Sequence, residues 1–447
     1  MSELFGTDGI RGHAGDYPLD EATVRKIGAA FAECFSKQFG RAPRFVSGRD
    51  TRESGESIET AFHEGALDRG ANGESAGVIT TPGVAFLTSE FEFDAGIVIS
   101  ASHNPFQDNG IKIFMPSGKK LGAEAEACIE NGVSNAADLK ITPNAFSNSE
   151  RADEFGSAYL SHLSNQFSGL DLSGISIVVD CANGAASDLA PSLFRLFGAE
   201  PKVIFNTPDG KNINQDCGSL HLDKLQRAVV ENGADFGAAF DGDADRALFV
   251  DEKGEVVDGD ATLWILANRL KERDELNSNK VIATVMSNIG LEIALREKGI
   301  ELVRTPVGDK YVLDELLRSK AAIGGEQSGH IILPERSLVG DGMMTALLVL
   351  QALTESGRKF SELHRECVRY PQILLNVRVK EKRPFESVPA IMEAADEVDA
   401  KLGETGRLLL RYSGTEKLAR VMIEGRDQAE IENYATSIGD VIEKELG

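Results

Sequence analysis

Cysteine is scarce in this chain, long apolar runs are missing and positive charge is in deficit, and each shortage excludes a class of protein. The five cysteines, Cys34, Cys128, Cys181, Cys217 and Cys367, are odd in number, widely scattered and form no C-x-x-C pair. A disulfide scaffold and a zinc ribbon are therefore poor readings. The longest helix-like apolar stretch, Met343 to Leu353, is too short to span a bilayer, and MSELFGTDGIRG has no basic segment followed by an apolar core. The expectation is a cytoplasmic protein without a membrane partner. Lys and Arg number 47 against 71 Asp and Glu, a net charge of −24 that repels a nucleic-acid backbone over most of the surface, so no nucleic-acid partner is expected. No G-x-x-x-x-G-K-[ST] phosphate loop occurs.

What is present is the composition of a packed globular protein, 42% apolar and 26% charged. At roughly 150 residues per domain, 447 residues suggest about three domains. Val/Ile-rich runs such as RFVSG (44–48), AGIVIS (95–100), ISIVVD (175–180) and KVIATV (280–285) alternate with longer amphipathic stretches. This is the α/β pattern. Residues 20–39 place Val24, Ile27, Phe31 and Phe35 at helical spacing, which reads as core. The polar stretch 132–150 marks a boundary near 150, followed by a helix over 151–167, and further boundaries fall near Asp251 and Pro371. Beyond Pro371 the order changes to a strand, a helix over about 384–402, two strands around a Gly-rich turn and a last helix, which predicts a smaller α+β unit.

Five segments could carry chemistry. DGDADR (241–246) follows a strand-like run and places Asp241, Asp243 and Asp245 at alternate positions, an all-oxygen set suited to a hard dication such as magnesium rather than zinc. A calcium loop of the EF-hand type fails, because Arg246 stands where that loop needs glycine. SASHNP (100–105) lies at the end of a buried-looking strand, where open α/β sheets place their ligand crevices. Ser102 could be a nucleophile there, with His103 beside it and Lys112 ten residues on as a source of positive charge. RYSGTE (411–416) with Arg420 offers hydroxyls, backbone N–H groups and two arginine forks from Arg411, Ser413, Gly414, Thr415 and Arg420, an anion cradle in character. GGEQSGH (324–330) gathers Glu326, Ser328 and His330 on a glycine-rich loop suited to sugar hydroxyls. GTDGIRG (6–12) sets Arg11 between glycines. Each has a bland alternative as a turn or a solvated face, and the combination carries the weight.

Together these segments make the chain resemble the α-D-phosphohexomutase superfamily from Phe5 to Gly425. FGTDGIRG, VVDCANGA (178–185), NINQDCGS (212–219), TPVGDKYV (305–312) and GGEQSGHI (324–331) are more similar to its phosphoglucosamine branch than to its phosphomannomutase or phosphoglucomutase branches. The resemblance implies four domains around a central cleft: three related α/β units with mixed sheets and a smaller C-terminal α+β unit. The expected ranges are 1–152 with the phosphoserine loop, 153–251 with the metal loop, 252–368 with the sugar-recognition loop and 369–447 with the phosphate-binding loop. It implies Ser102 as the phosphorylated residue. It also implies one magnesium held by Ser102, Asp241, Asp243 and Asp245, sugar contacts at Glu326, Ser328 and His330, and a phosphate site at Arg411, Ser413, Gly414, Thr415 and Arg420. Arg11, His103, Lys112, Arg246 and His330 would line the transfer site, with Lys112 or His330 as proton acceptor. These cations come from separate segments, so a local positive well inside an acidic body is expected.

The implied activity is interconversion of glucosamine 6-phosphate and glucosamine 1-phosphate, with a hexose 1,6-bisphosphate as intermediate and activator, feeding amino-sugar nucleotide synthesis for the cell wall. Glucose or mannose phosphate mutases are the alternatives, and a phosphosugar phosphatase a weaker one. A homodimer is compatible with the chain. Three positions depart from the usual family pattern: Lys417 where proline follows the Glu, Lys310 for an arginine, which loses the forked contact, and Leu220 for a threonine.

Overall fold

The computed structural model describes residues 4–6, 8–135, 151–413 and 416–447, which form two compact units. The first comprises Met1–Thr284 with Thr305–His364, and the second Val285–Arg304 with Arg365–Gly447. The polar stretch read as a boundary before 150 lies mostly outside the described residues.

In the first unit one arrangement is built three times. Strands Asn72–Val78, Arg44–Arg49 and Ala95–Ile99 run parallel, and Asp108–Phe114 then returns antiparallel beside Ala95–Ile99, with Ile10–His13 on its far edge. In the second sheet Lys202–Ile204, Ile177–Asp180 and Phe236–Phe240 are parallel, and Ala247–Asp251 returns antiparallel, edged by Val256–Val257. In the third, Lys280–Thr284 and Ile323–Gly325 are parallel, and Ile331–Ile332 returns antiparallel. Each time the last parallel strand is apolar and wholly buried, so it reads as a continuous hydrophobic run with its polar residues expelled into the loop that follows. Those loops are 100–107, 241–246 and 326–330, the segments singled out from the sequence.

Helices cover the sheets because their apolar stripes match. In Glu21–Phe39, Val24, Ile27, Phe31 and Phe35 are all fully buried, Asp20 caps the start by accepting from Thr23 N (3.0 Å), and Gly40 at φ 68° ends it. One expectation needs correction on this face. Cys34 of that helix and Cys128 of helix Ala123–Ser134 form a disulfide, with Cα atoms 6.2 Å apart and a separation of 94 positions in sequence. Spacing along the chain cannot reveal a pair that only helix packing brings together, although the chain as a whole is no disulfide scaffold.

The second unit is an antiparallel sheet in the order Gln372–Arg378, Leu418–Glu424, Arg407–Tyr412, packed on helices Pro389–Leu402 and Gln428–Leu446. The last helix presents Ile431, Ala435, Ile438, Ile442 and Leu446 to the core at spacings of three and four. The helix expected from about 384 starts at Pro389 instead. Pro384 is extended and a short 3-10 turn, Phe385–Ser387, intervenes, while Pro389 takes the first helical turn, where its missing N–H costs nothing. Segment Val285–Arg304 adds the helix Ile289–Glu297, started by Asn288 accepting from Gly290 N (3.0 Å).

Candidate active site

The first unit brings three of the singled-out loops to one place. Ser102 is buried, with Oγ 2.5 Å from Asp241 Oδ2 and 3.2 Å from His103 Nδ1. Its loop approaches the aspartate loop so closely that a Cβ on Gly242 would lie 2.5 Å from the Ser102 carbonyl oxygen, which is why glycine separates the first two aspartates.

Asp241, Asp243 and Asp245 are buried, and one carboxylate oxygen from each lies within 4.8 Å of the others. Asp243 Oδ2 accepts from Thr81 Oγ1 (2.6 Å) and from Lys112 Nζ (2.9 Å), and Asp241 Oδ1 accepts from Arg246 N (3.1 Å). Asp243 Oδ1 and Asp245 Oδ1, though buried, have no hydrogen-bond partner among the described residues. Buried, unpartnered carboxylate oxygens at this spacing, with no sulfur or imidazole in the set, fit a hard dication. Titration of the group points the same way. Burial, with the charges of Asp245 and Asp243 added, pushes the Asp241 carboxyl well above its usual range. Burial also opposes charge on Asp245, but Lys112, His330 and Arg246 outweigh it and hold that carboxyl well below the usual range. Three charges packed this closely are not mutually compatible without a cation.

Cations surround this cluster, and Lys112 and Arg11 are themselves paired with acids. Lys112 is buried, 2.9 Å from Asp243, 3.4 Å from Asp8 and 3.6 Å from Asp245. Burial would lower its pKa, yet those carboxylates more than compensate and raise it, so it is an ammonium at neutral pH. Arg11 donates Nη1 to Ala101 O (3.1 Å) and pairs through Nη2 with Asp8. Arg246 Nε lies 3.8 Å from Asp245 Oδ1. His103 is the opposite case: burial, then the charges of Arg246 and Arg11, lower it to about 4, leaving a neutral imidazole.

The sugar-recognition candidates close the same site. Glu326 is half-buried and its Oε1 accepts from Gly308 N (3.2 Å), while His330 accepts from Gly340 N at Nε2 (3.1 Å) and places Nδ1 3.7 Å from Asp245 Oδ1. The turn between them needs Gly329, at φ 91°, where a Cβ would also meet Ala247 O at 2.2 Å. Ser328 is half-buried in that turn.

The second unit carries a separate cluster. Arg411 and Arg420 are directly opposite each other on the antiparallel strands Arg407–Tyr412 and Leu418–Glu424. Like charges so placed repel, and burial followed by the Arg420 charge lowers the Arg411 pKa. The Nε of each is buried without a hydrogen-bond partner among the described residues. Ser413 is buried beside them, its Oγ accepting from Glu416 N (3.2 Å) and its carbonyl from Lys382 Nζ (2.6 Å). Gly414 and Thr415 lie outside the described residues. Two facing arginines with spare donors suit an anion.

Family models for phosphoglucomutase/phosphomannomutase match almost end to end: alpha/beta/alpha domain I over residues 2–140, domain II over 157–254, domain III over 258–370 and the C-terminal domain over 374–441. The chain belongs to this family. It is an isomerase-class phosphotransferase, a phosphohexomutase with three α/β domains and a C-terminal one, as the sequence resemblance implied. Among curated relatives it is 48% identical to the phosphoglucosamine mutase of Solibacter usitatus over 445 residues, covering 100% of this chain and 99% of the relative. It is also 48% identical over 446 residues to that of Carboxydothermus hydrogenoformans, covering 99% of this chain and 100% of the relative. Among solved structures, a phosphoglucomutase/phosphomannomutase family protein from Burkholderia thailandensis matches with a TM-score of 0.80 at 23% identity, over 100% of this chain and 98% of its own. An Aspergillus fumigatus N-acetylphosphoglucosamine mutase, solved with GlcNAc-6P and magnesium, matches at 0.68 and 20% identity, over 99% and 96%. At such identities the two structures speak for the fold of the family. No helix among the described residues is long and apolar enough to cross a membrane.

Three residues beside the site escaped the sequence reading. Asp8 pairs with Arg11, Lys112 and Lys120, and Lys120 also pairs with Asp309 (2.6 Å), whose Oδ2 lies 3.8 Å from His330 Nε2. Asp8 stands three residues before Arg11 and Asp309 next to Lys310, so both sat in motifs already marked; what was missing was a reason to pair an acid with each cation.

Proposed function

We propose that the enzyme interconverts glucosamine 6-phosphate and glucosamine 1-phosphate through a phosphoserine at residue 102 and a glucosamine 1,6-bisphosphate intermediate. The observation that carries the chemistry is the buried Ser102 Oγ set 2.5 Å from Asp241 inside the aspartate cluster, with Lys112 and Arg11 close by. Full-length relatives at 44–48% identity named phosphoglucosamine mutase support glucosamine as the sugar. In the forward step the P–Oγ bond of phosphoserine breaks as a bond forms from phosphorus to the sugar O1, and the hydroxyl proton ends on the serine oxygen at the close of that half-reaction; Lys112, already an ammonium, cannot take it up, which leaves His330 of the two candidate acceptors. After the bisphosphate turns over, the 6-phosphoryl returns to Ser102 in the reverse sense. A magnesium ion held by Asp241, Asp243, Asp245 and the serine phosphoryl would neutralise charge on the moving group.

The remaining work falls to the chain. Lys112 and Arg246 supply fixed positive charge that needs no reorganisation during transfer. Glu326, Ser328 and His330 orient the sugar by its hydroxyls, which turns a bimolecular encounter into a positioned one. Arg411, Ser413 and Arg420 hold the phosphate that is not being transferred, with Gly414 and Thr415 assigned to the same loop. Glucosamine phosphates are intracellular precursors of cell-wall sugars, so a cytoplasmic enzyme is the consistent reading.

The test compares kcat/KM for glucosamine, glucose and mannose 6-phosphates side by side, with magnesium and the matching bisphosphate. Glucosamine 6-phosphate should lead by about tenfold or more, since a charged amino group leaves a site built for it badly unpaired when absent. Ser102→Ala should abolish turnover and label incorporation from the bisphosphate. An active Ala variant would sink the phosphoserine, and equal kcat/KM values would sink the glucosamine preference.

A further inference from the structure

The guanidinium of Arg52 is completely buried, and every one of its N–H groups is used. Nε donates to Asp50 Oδ2 (2.9 Å), Nη2 to the carbonyls of Ser102 (2.9 Å) and Asn104 (2.8 Å), and Nη1 to those of Asp108 (3.0 Å) and Pro105. Four of the five partners are backbone carbonyls, three in the serine loop and the fourth at Asp108, where the next strand begins. Asn214, from the NINQDCGS segment beside the second sheet, donates its amide to two of the same carbonyls, Ser102 O at 2.9 Å and Asn104 O at 3.1 Å. From the other side, Asp50 Oδ2 accepts from Ser100 Oγ (2.6 Å), and that oxygen accepts from Ser102 N (2.9 Å). Both backbone groups of Ser102 are thus held by side chains, in the left-handed conformation at φ 52° that serine seldom adopts.

Burying an arginine and its partner is costly, and apolar packing would hold a surface loop to a sheet as well. What apolar packing cannot do is set a backbone in an uncommon conformation to a fraction of an ångström. We infer that Arg52 and Asn214 are positioning residues for phosphoryl transfer: they fix the Ser102 backbone, and so the reacting Oγ, against the aspartate loop. Neither touches the reacting atoms. The inference rests on Ser102 as the phosphoryl carrier.

It makes a specific claim about partition. In the productive step phosphorus exchanges its bond to Oγ for one to a sugar oxygen, and the sugar proton ends on the serine. In the side reaction a water oxygen takes the sugar's place; one water proton ends on the serine hydroxyl and the other leaves on inorganic phosphate. Water needs no alignment, whereas a sugar hydroxyl does, so a displaced Oγ shifts the balance towards water.

The experiment uses the full chain with magnesium and 32P-labelled glucosamine 1,6-bisphosphate, and measures inorganic phosphate released per sugar phosphate isomerised. Arg52→Lys keeps the charge but loses the fork. It should lower kcat about 100-fold while KM moves within about threefold, and raise the release ratio about tenfold. Asn214→Ala should shift the ratio the same way by a smaller factor, and it carries the test alone if Arg52→Lys fails to fold. The ratio is indifferent to how much protein is folded, so a purely structural role would leave it unchanged, and an unchanged ratio in the folded variants overturns the inference. Wild-type protein that takes no label at Ser102 would instead overturn the phosphoserine reading on which it stands.

Discussion

The two charge clusters of this enzyme are built on opposite plans. In the first unit acids and bases interleave: Lys112 meets three carboxylates, Arg11 meets Asp8, and Lys120 bridges Asp8 and Asp309. The mismatch there lies mainly with the acids, in the unpartnered oxygens of Asp243 and Asp245 and the raised pKa of Asp241, although Nε of Arg11 and of Arg246 also lacks a hydrogen-bond partner among the described residues. In the second unit Arg411 and Arg420 face each other across a strand pair, and the mismatch is positive. In the first unit Lys112, Arg11 and Lys120 are paired with carboxylates while Arg246 comes only to 3.8 Å from Asp245, and in the second Arg420 has Glu416 at 3.9 Å. Each cluster tolerates internal repulsion because a ligand of the other sign would relieve it: a metal ion in one, a phosphate in the other. Stability and function should therefore pull in opposite directions at both.

That opposition can be broken most strongly at Asp241. Asp241→Asn removes a carboxylate that burial already disfavours in charged form, so unfolding of the metal-free protein should be unaffected or slightly harder. Catalysis should drop by about 100-fold or more, and the rise in Tm produced by magnesium should shrink. A calorimetric titration with magnesium alongside kinetics checks both halves. If the metal-free variant were instead strongly destabilised, the cluster would be structural.

Arg420→Met tests the other plan with a smaller effect. Losing a charge-assisted contact of about 1.5–3 kcal/mol should raise KM about tenfold to 100-fold, and relief of the repulsion with Arg411 should leave Tm equal or higher. A fall in Tm with KM unchanged would show that the pair has another purpose.

An effect on stability alone sharpens the comparison with acids that face no ligand. Asp341 starts helix Gly342–Ser356, accepting from Met344 N (2.9 Å) and from Tyr159 Oη (2.8 Å), and burial pushes its carboxyl up to about 6 from 3.8. A group raised by folding contributes stability that is whole below its unfolded pKa and is lost as pH rises through the folded one. Between pH 4 and 6 Asp341 should therefore remove up to about 3 kcal/mol, and Asp341→Asn, which keeps the cap, should flatten that slope in Tm against pH. His63 works in the reverse sense, since burial lowers it to about 3 and its contribution is lost as pH falls below 6.5. Magnesium should leave the Asp341 slope untouched, unlike that of the aspartate cluster.

Much of the fold was legible because the signals were local. Val24, Ile27, Phe31 and Phe35 mark a helix by spacing alone, and a short apolar run such as AGIVI, alternating with helical stretches, reads as a buried strand ending where Ser100 begins. The candidate site was legible to the extent that its chemistry sits in short runs of sequence. Arg52 was not, because in the sequence it is one arginine of RDTR, and nothing along the chain says that its partners are carbonyls some fifty residues on. Asn214 was quoted as a mark of kinship without a task. The Cys34–Cys128 pair and the Asp8–Lys120–Asp309 chain stayed hidden for the same reason.

The shortages of the sequence, few cysteines, no membrane-length apolar run and too little positive charge, determined by themselves the kind of protein this is, and its loop motifs determined the family, since period and composition act over a few residues. Which acid neutralises which base, and what holds Ser102 in place, were decided only by the tertiary structure. Coulomb energy and hydrogen bonding depend on distances through space, and those distances exist only once three sheets have set their loops side by side.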